Sequence, residues 1–123
     1  MEVNTILWPT DLSKNSIKAA KHVESLAEKY QAKVVLLFVG VDLMSHFGAY
    51  SYPSPDHVKH FQDWELQHAK KQLEAVCEKE LKACPKIELR LVQGDPAAEI
   101  LKAIKTEKAD MVVLTSHGRG HGW

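Results

Sequence analysis

Val34-Val35-Leu36-Leu37-Phe38-Val39 runs six residues without a polar side chain. A strand with one face in water alternates apolar with polar residues, so this unbroken run predicts a strand covered by helices on both faces. Met111-Val112-Val113-Leu114 has the same character, and both runs are expected inside a parallel sheet. Ile87-Glu88-Leu89-Arg90-Leu91-Val92 differs. Its first five residues alternate apolar with charged, which puts one face at least partly in water and predicts an edge strand. A further run from Val3 to Trp8 supplies the first strand and is expected to end at Pro9.

The segments between these runs carry a helical period. Ser13 is the expected N-cap of a single long helix in which Ile17, Ala20, Val23, Leu26, Ala27 and Tyr30 recur at steps of three and four. Asp42 to Pro55, with two tyrosines and two prolines, reads as a long loop that is a candidate flap. The helix after it places Phe61, Trp64, Ala69, Leu73, Val76, Cys77 and Leu81 on one broad apolar face and stops before Pro85. Trp8 and Trp64 could fill the core or stack a base, and both are expected to fill the core. Gly94-Asp95-Pro96 marks a helix start, with Asp95 as N-cap and Pro96 in the first turn.

Strands alternating with helices imply an α/β domain, a three-layer, Rossmann-like parallel sheet. Right-handed crossovers carry the chain from β1 through β2 to an edge β3, so β4 must lie on the far side of β1 and the order is 3-2-1-4. The order reverses between β1 and β4, and ligands of such sheets bind where the loops leaving the carboxyl ends diverge. Those loops are Pro9-Thr10-Asp11-Leu12-Ser13 and Thr115-Ser116-His117-Gly118-Arg119-Gly120-His121-Gly122.

Composition limits the chemistry. Of 123 residues, 45% are hydrophobic and 26% charged, which suits one globular domain and excludes a disordered chain. Sixteen basic side chains balance sixteen acidic ones, so there is no net field to draw in nucleic acid or an anionic membrane. The longest apolar stretch, Val34 to Val41, is far short of the roughly 20 residues a membrane span needs. The first residues have no basic leader segment, and Cys77 and Cys84, if they share one helix, stand about 10 Å apart, too far for a disulfide. A cytoplasmic location is expected.

Gly118, Gly120 and Gly122 free the backbone to aim N–H groups at an anion, and Arg119 adds charge; the same glycines also suit a merely flexible segment. Asp11 could accept from a ribose hydroxyl or an exocyclic amine, or could simply shape the turn before the first helix. His57 with His60 and His117 with His121 have chelating spacings, but no Cys or carboxylate completes a set, and no metal site is assigned. G-x-x-x-x-G-K-[ST], an early G-x-G-x-x-G and G-x-S-x-G do not occur. A phosphoacceptor domain would need an Asp ending β3, where Val92-Gln93-Gly94 stands.

Four stretches together resemble the universal stress protein family: Ile6-Leu7-Trp8-Pro9-Thr10-Asp11-Leu12-Ser13, Val35 to Val39, Gly94-Asp95-Pro96-Ala97-Ala98-Glu99-Ile100-Leu101, and Ala109 through Gly120. The resemblance covers nearly the whole chain. It implies a five-stranded sheet in the order 3-2-1-4-5, so 1–123 is expected to be a single domain lacking the family's last helix and fifth strand. Enzymes of the wider adenine-nucleotide α-hydrolase-like fold carry Ser-Gly-Gly after β1; Pro9-Thr10-Asp11 in that place argues against an adenylating enzyme.

ATP-binding members of the family resemble G-x2-G-x9-G-[ST] after β4. By that resemblance Asp11 would serve adenine or ribose with Thr10 beside it, and Val39 would offer its backbone to adenine. Gly118 would approach the phosphates within a loop that also holds Thr115, His117 and Arg119. Thr115 stands where the first glycine belongs, and the final pair would fall beyond the last residue. The expected function is a stress-response module that binds ATP, with Mg²⁺ accompanying it, and acts through conformation or dimerisation. Hydrolysis would be weak at most, because no general base is placed to activate water. The alternative is a scaffold of the same fold that binds no nucleotide and works through protein contacts. Expected partners are an adenine nucleotide and a second copy, or another chain, covering the β4 edge.

Overall fold

A computed structural model describes residues 2–40 and 55–115, so most of the Asp42 to Pro55 loop and the positions of His117, Gly118 and Arg119 lie outside the described residues. The apolar runs form β1 (Thr5–Thr10), β2 (Lys33–Gly40), β3 (Lys86–Gln93) and β4 (Met111–Val112). The helices are α1 (Lys14–Lys18), α2 (Ala20–Tyr30), α3 (Pro55–Glu80) and α4 (Pro96–Thr106). All strand pairs are parallel and the order is β3-β2-β1-β4, as the alternation in β3 predicts.

Successive side chains of a strand face opposite ways, and here each way leads to a core. Ile6 and Trp8 of β1 and Val34, Leu36 and Phe38 of β2 pack with Val23, Ala27, Ala69 and Leu73 from α2 and α3. Leu7, Val35, Leu37 and Val39 pack on the other face with Ile100 and Ala103 of α4. This double cover is why the β2 run contains no polar residue. On β3, Glu88 and Arg90 are in register with Val35 and Leu37, so they share the α4 face. Arg90 Nη2 donates to Glu88 Oε2 at 2.7 Å, and Arg90 Nε donates to Glu107 Oε2 at 3.2 Å, just past the end of α4.

Three expectations are corrected. First, β1 continues through Pro9 and Thr10, which pair with Leu37 and Phe38. Proline is tolerated because of where its missing N–H would point. The Leu7 carbonyl accepts from the Val113 N–H, so by strand alternation Pro9 faces the β4 side. β4 pairs only with Ile6 and Leu7, and the ladder stops where Pro9 has no donor to offer. Met111 to Leu114 is therefore a two-residue strand, and Leu114 is 60% exposed.

Second, the helix after Ser13 is divided. Ser13 does cap α1, its side chain accepting from the Ser16 N–H at 3.2 Å. At Ala19 the turn tightens, its N–H bonding the Ser16 carbonyl three residues back at 3.0 Å, before α2 lays Ala20, Val23 and Ala27 on the sheet. Third, Trp8 is fully buried but Trp64 is 55% and Phe61 51% exposed. The buried stripe of α3 is Val58, Gln62, Ala69, Leu73 and Val76, and at 100° per residue Trp64 points about 180° away from Leu73. The long helix α3 ends at Glu80, before Pro85, so Cys77 and Cys84 do not share a helix; both are free thiols, as expected. The Asp95 cap is as expected, accepting from the Ala98 N–H at 2.9 Å with Pro96 opening α4.

Candidate functional site

The carboxyl end of β1 is built by three hydroxyl and carboxyl groups acting on adjacent backbone. Thr10 is 1% exposed, and its Oγ1 lies 2.6 Å from the Ser16 hydroxyl while accepting the Leu12 N–H at 3.0 Å. Asp11 Oδ1 accepts the Ser13 N–H at 2.8 Å, an Asx turn that shapes the entry to α1. Between them Leu12 adopts φ 65°, a left-handed conformation that branched side chains rarely take. The turn is thus fixed from both sides, and the Asp11 carboxylate is held at its rim.

This geometry also determines how β2 ends. The Lys33 N–H bonds the Asn4 carbonyl and the Gly40 carbonyl accepts from Gly94 on the β3 side, so odd residues of β2 address β1. The ladder would next bring the Leu12 N–H to the Val39 carbonyl, but Leu12 spends that donor on Thr10. The Val39 carbonyl therefore points toward the place where β1 turns away. Thr10 contributes by shaping this turn, with its hydroxyl engaged within the fold. Thr115 stands across the divergence, three residues past the end of β4 and half-buried. The structure thus brings Asp11, Thr10 and Val39 together at one rim.

A hollow of about 380 Å³ opens beside Asp11, between the Asp11-Leu12 turn and α3. Phe38, Trp64, Glu65 and His68 are among its walls. The Trp64 and His68 rings are 4.1 Å apart between centroids, and Phe61 lies 5.9 Å from Trp64. Glu65 Oε1 is closed to solvent and has no hydrogen-bond partner among the described residues. The sequence does not single out Glu65 and His68 as site residues, and its reading sets Trp64 in the core ahead of stacking a base. The signal was the i, i+4 spacing of Trp64 and His68, which stacks two rings along a helix, obscured by reading Trp64 as core.

Neither thiol among the described residues is activated for nucleophilic chemistry. Burial, with Glu24 adding to it, pushes the Cys84 thiol up to about 11, and burial with Glu74 raises Cys77, so both stay protonated near neutral pH. Among the described residues no group of three or more His, Cys, Asp or Glu is placed to hold a metal. No helix among them is long and apolar enough to cross a membrane.

Comparison with known proteins gives a consistent result. The profile of the universal stress protein family matches residues 2–122. A curated universal stress protein of Methanocaldococcus jannaschii is 31% identical over 114 residues, 93% of this chain; the chain spans 65% of that relative's length. The structure of universal stress protein UspA from Lactobacillus plantarum superposes with a TM-score of 0.78 at 22% identity, covering 98% of this chain and 84% of that one. A universal stress protein family member of Arabidopsis thaliana, solved with AMP bound, has a TM-score of 0.65 at 18% identity, covering 97% of this chain and 80% of that one. The sheet order agrees with the adenine-nucleotide α-hydrolase-like fold of these structures. On its matched span, its strand order and its close relative, the chain belongs to the universal stress protein family.

Proposed function

We propose that the chain is a stress-response module that binds an adenine nucleotide at the carboxyl ends of β1 and β2 and acts through conformation or dimerisation. The observation that carries this reading is the rim formed by the Asp11 Asx turn beside the Val39 carbonyl. An adenine amine needs an acceptor and ribose hydroxyls suit a carboxylate, and the rim holds both kinds of group. The AMP bound to the Arabidopsis relative supports the same ligand class. ATP with Mg²⁺ is the form we assign, its phosphates served by Thr115, His117, Gly118 and Arg119 and its base and ribose by Asp11 and Val39, with Thr10 flanking Asp11. No residue is assigned a catalytic part, and the cytoplasm is the proposed setting.

Isothermal calorimetry with Mg-ATP tests it. Saturable binding is expected, weakened about tenfold by Asp11→Ala as a charge-assisted acceptor is lost. Absence of binding heat, or an Asp11→Ala affinity equal to wild type, would overturn it. A second reading, a scaffold working through protein contacts, is favoured by Leu101 at 63% and Leu114 at 60% exposure near a β4 that pairs with β1 alone among the described strands. Sedimentation separates the two: self-association indifferent to nucleotide would favour the scaffold, and nucleotide-dependent association the proposed module.

A further inference from the structure

β3 closes one side of the sheet: it pairs with β2, and among the described strands none pairs with its other edge. The register with β2 runs from Lys86 to Gln93 without a skipped residue, so no bulge interrupts it, and the strand holds no proline or glycine. An edge this long and regular offers a row of N–H and C=O groups to any arriving strand, and proteins blunt such edges with bulges, prolines or charged side chains. In β3 only the charges remain.

The Gly94 N–H bonds the Gly40 carbonyl, so even residues of β3 address β2, while Ile87, Leu89 and Leu91 point their backbone groups outward. Arg90 Nη1 donates to the outward Leu89 carbonyl at 3.1 Å, in the middle of the strand. The guanidinium is anchored there. Its Nε and Nη2 donate to the two oxygens of Glu107 at 3.2 and 3.4 Å, and Nη2 also donates to Glu88 at 2.7 Å. A planar fork gripped at two nitrogens keeps its orientation in a way that a single ammonium would not. The Arg90 side chain is 41% exposed, where ion pairs add little stability, so what the cluster supplies is position.

The strand that best complements this edge is β3 of a second copy. Around a two-fold axis at Leu89, antiparallel pairing sets Leu89 opposite its own equivalent, Ile87 opposite Leu91 and Glu88 opposite Arg90. Outward-facing residues then meet outward-facing ones, as the antiparallel ladder requires. The half-buried Ile87, Leu89 and Leu91 would extend one apolar face, and the charges on the other face would be complementary. We infer that Arg90, anchored by Glu107, is an autoinhibitory latch on this edge: it occupies the Leu89 carbonyl and so prevents antiparallel pairing of β3 with a second copy. The latch sits at the opposite end of the sheet from β4 and is independent of the nucleotide reading.

Sedimentation equilibrium at matched concentrations compares wild type, Arg90→Thr combined with Glu107→Gln, and the same double variant with Leu89→Pro added. The double variant removes the latch without leaving the Glu107 carboxylate unpaired, and threonine suits a strand. It is expected to show about twice the mass of wild type. Hydrogen exchange of its Ile87, Leu89 and Leu91 N–H groups is expected to slow about tenfold as concentration rises, while the same amides of wild type do not change. Leu89→Pro deletes an outward donor at an edge position where proline is tolerated, and is expected to restore the wild-type mass. A double variant with the mass of wild type overturns the latch. So does excess mass that survives Leu89→Pro or comes without slower exchange at those three amides, and so does concentration-dependent protection of them in wild type.

Discussion

Thr10 and Ser16 share a 2.6 Å hydrogen bond in a place almost closed to water, and through it the end of β1 is tied to the first helix. Replacing Ser16 by alanine strands the Thr10 hydroxyl's partner position and loosens the turn that presents Asp11. The expected cost is about 1–2 kcal/mol, read as a lower urea midpoint at unchanged slope. Thr10→Val combined with Ser16→Ala should recover part of that loss, because two apolar groups leave no donor or acceptor unmatched. The nearby Trp8 Nε1, by contrast, is buried without a partner among the described residues.

At the level of elements, α4 shows the clearest local encoding. Asp95 caps it, and Asp95→Ala should cost about 1 kcal/mol of stability by thermal or urea unfolding, within the range of lost N-caps. Strand order was equally legible, because Glu88 and Arg90 can alternate with leucines only where a face is partly open. What escaped the sequence were features decided by neighbours. Pro9 reads as a terminator until β4 is known to stop beside it. Trp64 reads as core because apolar residues at helical spacing suggest one stripe, yet the stripe that touches the sheet runs through Val58, Gln62 and Leu73. The break at Ala19 comes where its N–H bonds the Ser16 carbonyl three residues back, a tightening that the helical spacing of the apolar residues does not record. Of the site, Asp11 and Val39 were legible from the end of β1 and the resemblance; Glu65 was not, since its burial depends on Gly40 in a different element.

For the whole molecule, charge linkage predicts how stability varies with pH. Glu88 is desolvated, which alone would raise its carboxyl, but Lys33 and Arg90 outweigh this and hold it below its ordinary value. A depressed carboxyl contributes stability above its unfolded-state pKa, and that contribution is lost as pH falls through the folded one. Cys84 has the opposite sign: with its thiol pushed up to about 11, the unfolded chain ionises first and stability declines as pH rises from about 9. Urea midpoints measured across pH should therefore fall at both extremes, with Glu88→Gln flattening the acid side and Cys84→Ala the alkaline side.

The proline inside β1 has a consequence for the hierarchy of openings. β2 is held by six paired residues on the β1 side and eight on the β3 side, whereas β4 is held by two paired residues and by Asp110, whose Oδ2 accepts from the Asn4 and Thr5 N–H groups at 2.8 and 3.0 Å. Amide hydrogens of β4 thus exchange through local detachment, while those of β2 wait for the whole sheet to unfold. Thr115 follows directly on this weakly held strand, so one bank of the crevice belongs to a low-stability unit and the other to the most stable one. A ligand bridging the two would convert a loosely attached strand into part of the globally protected core.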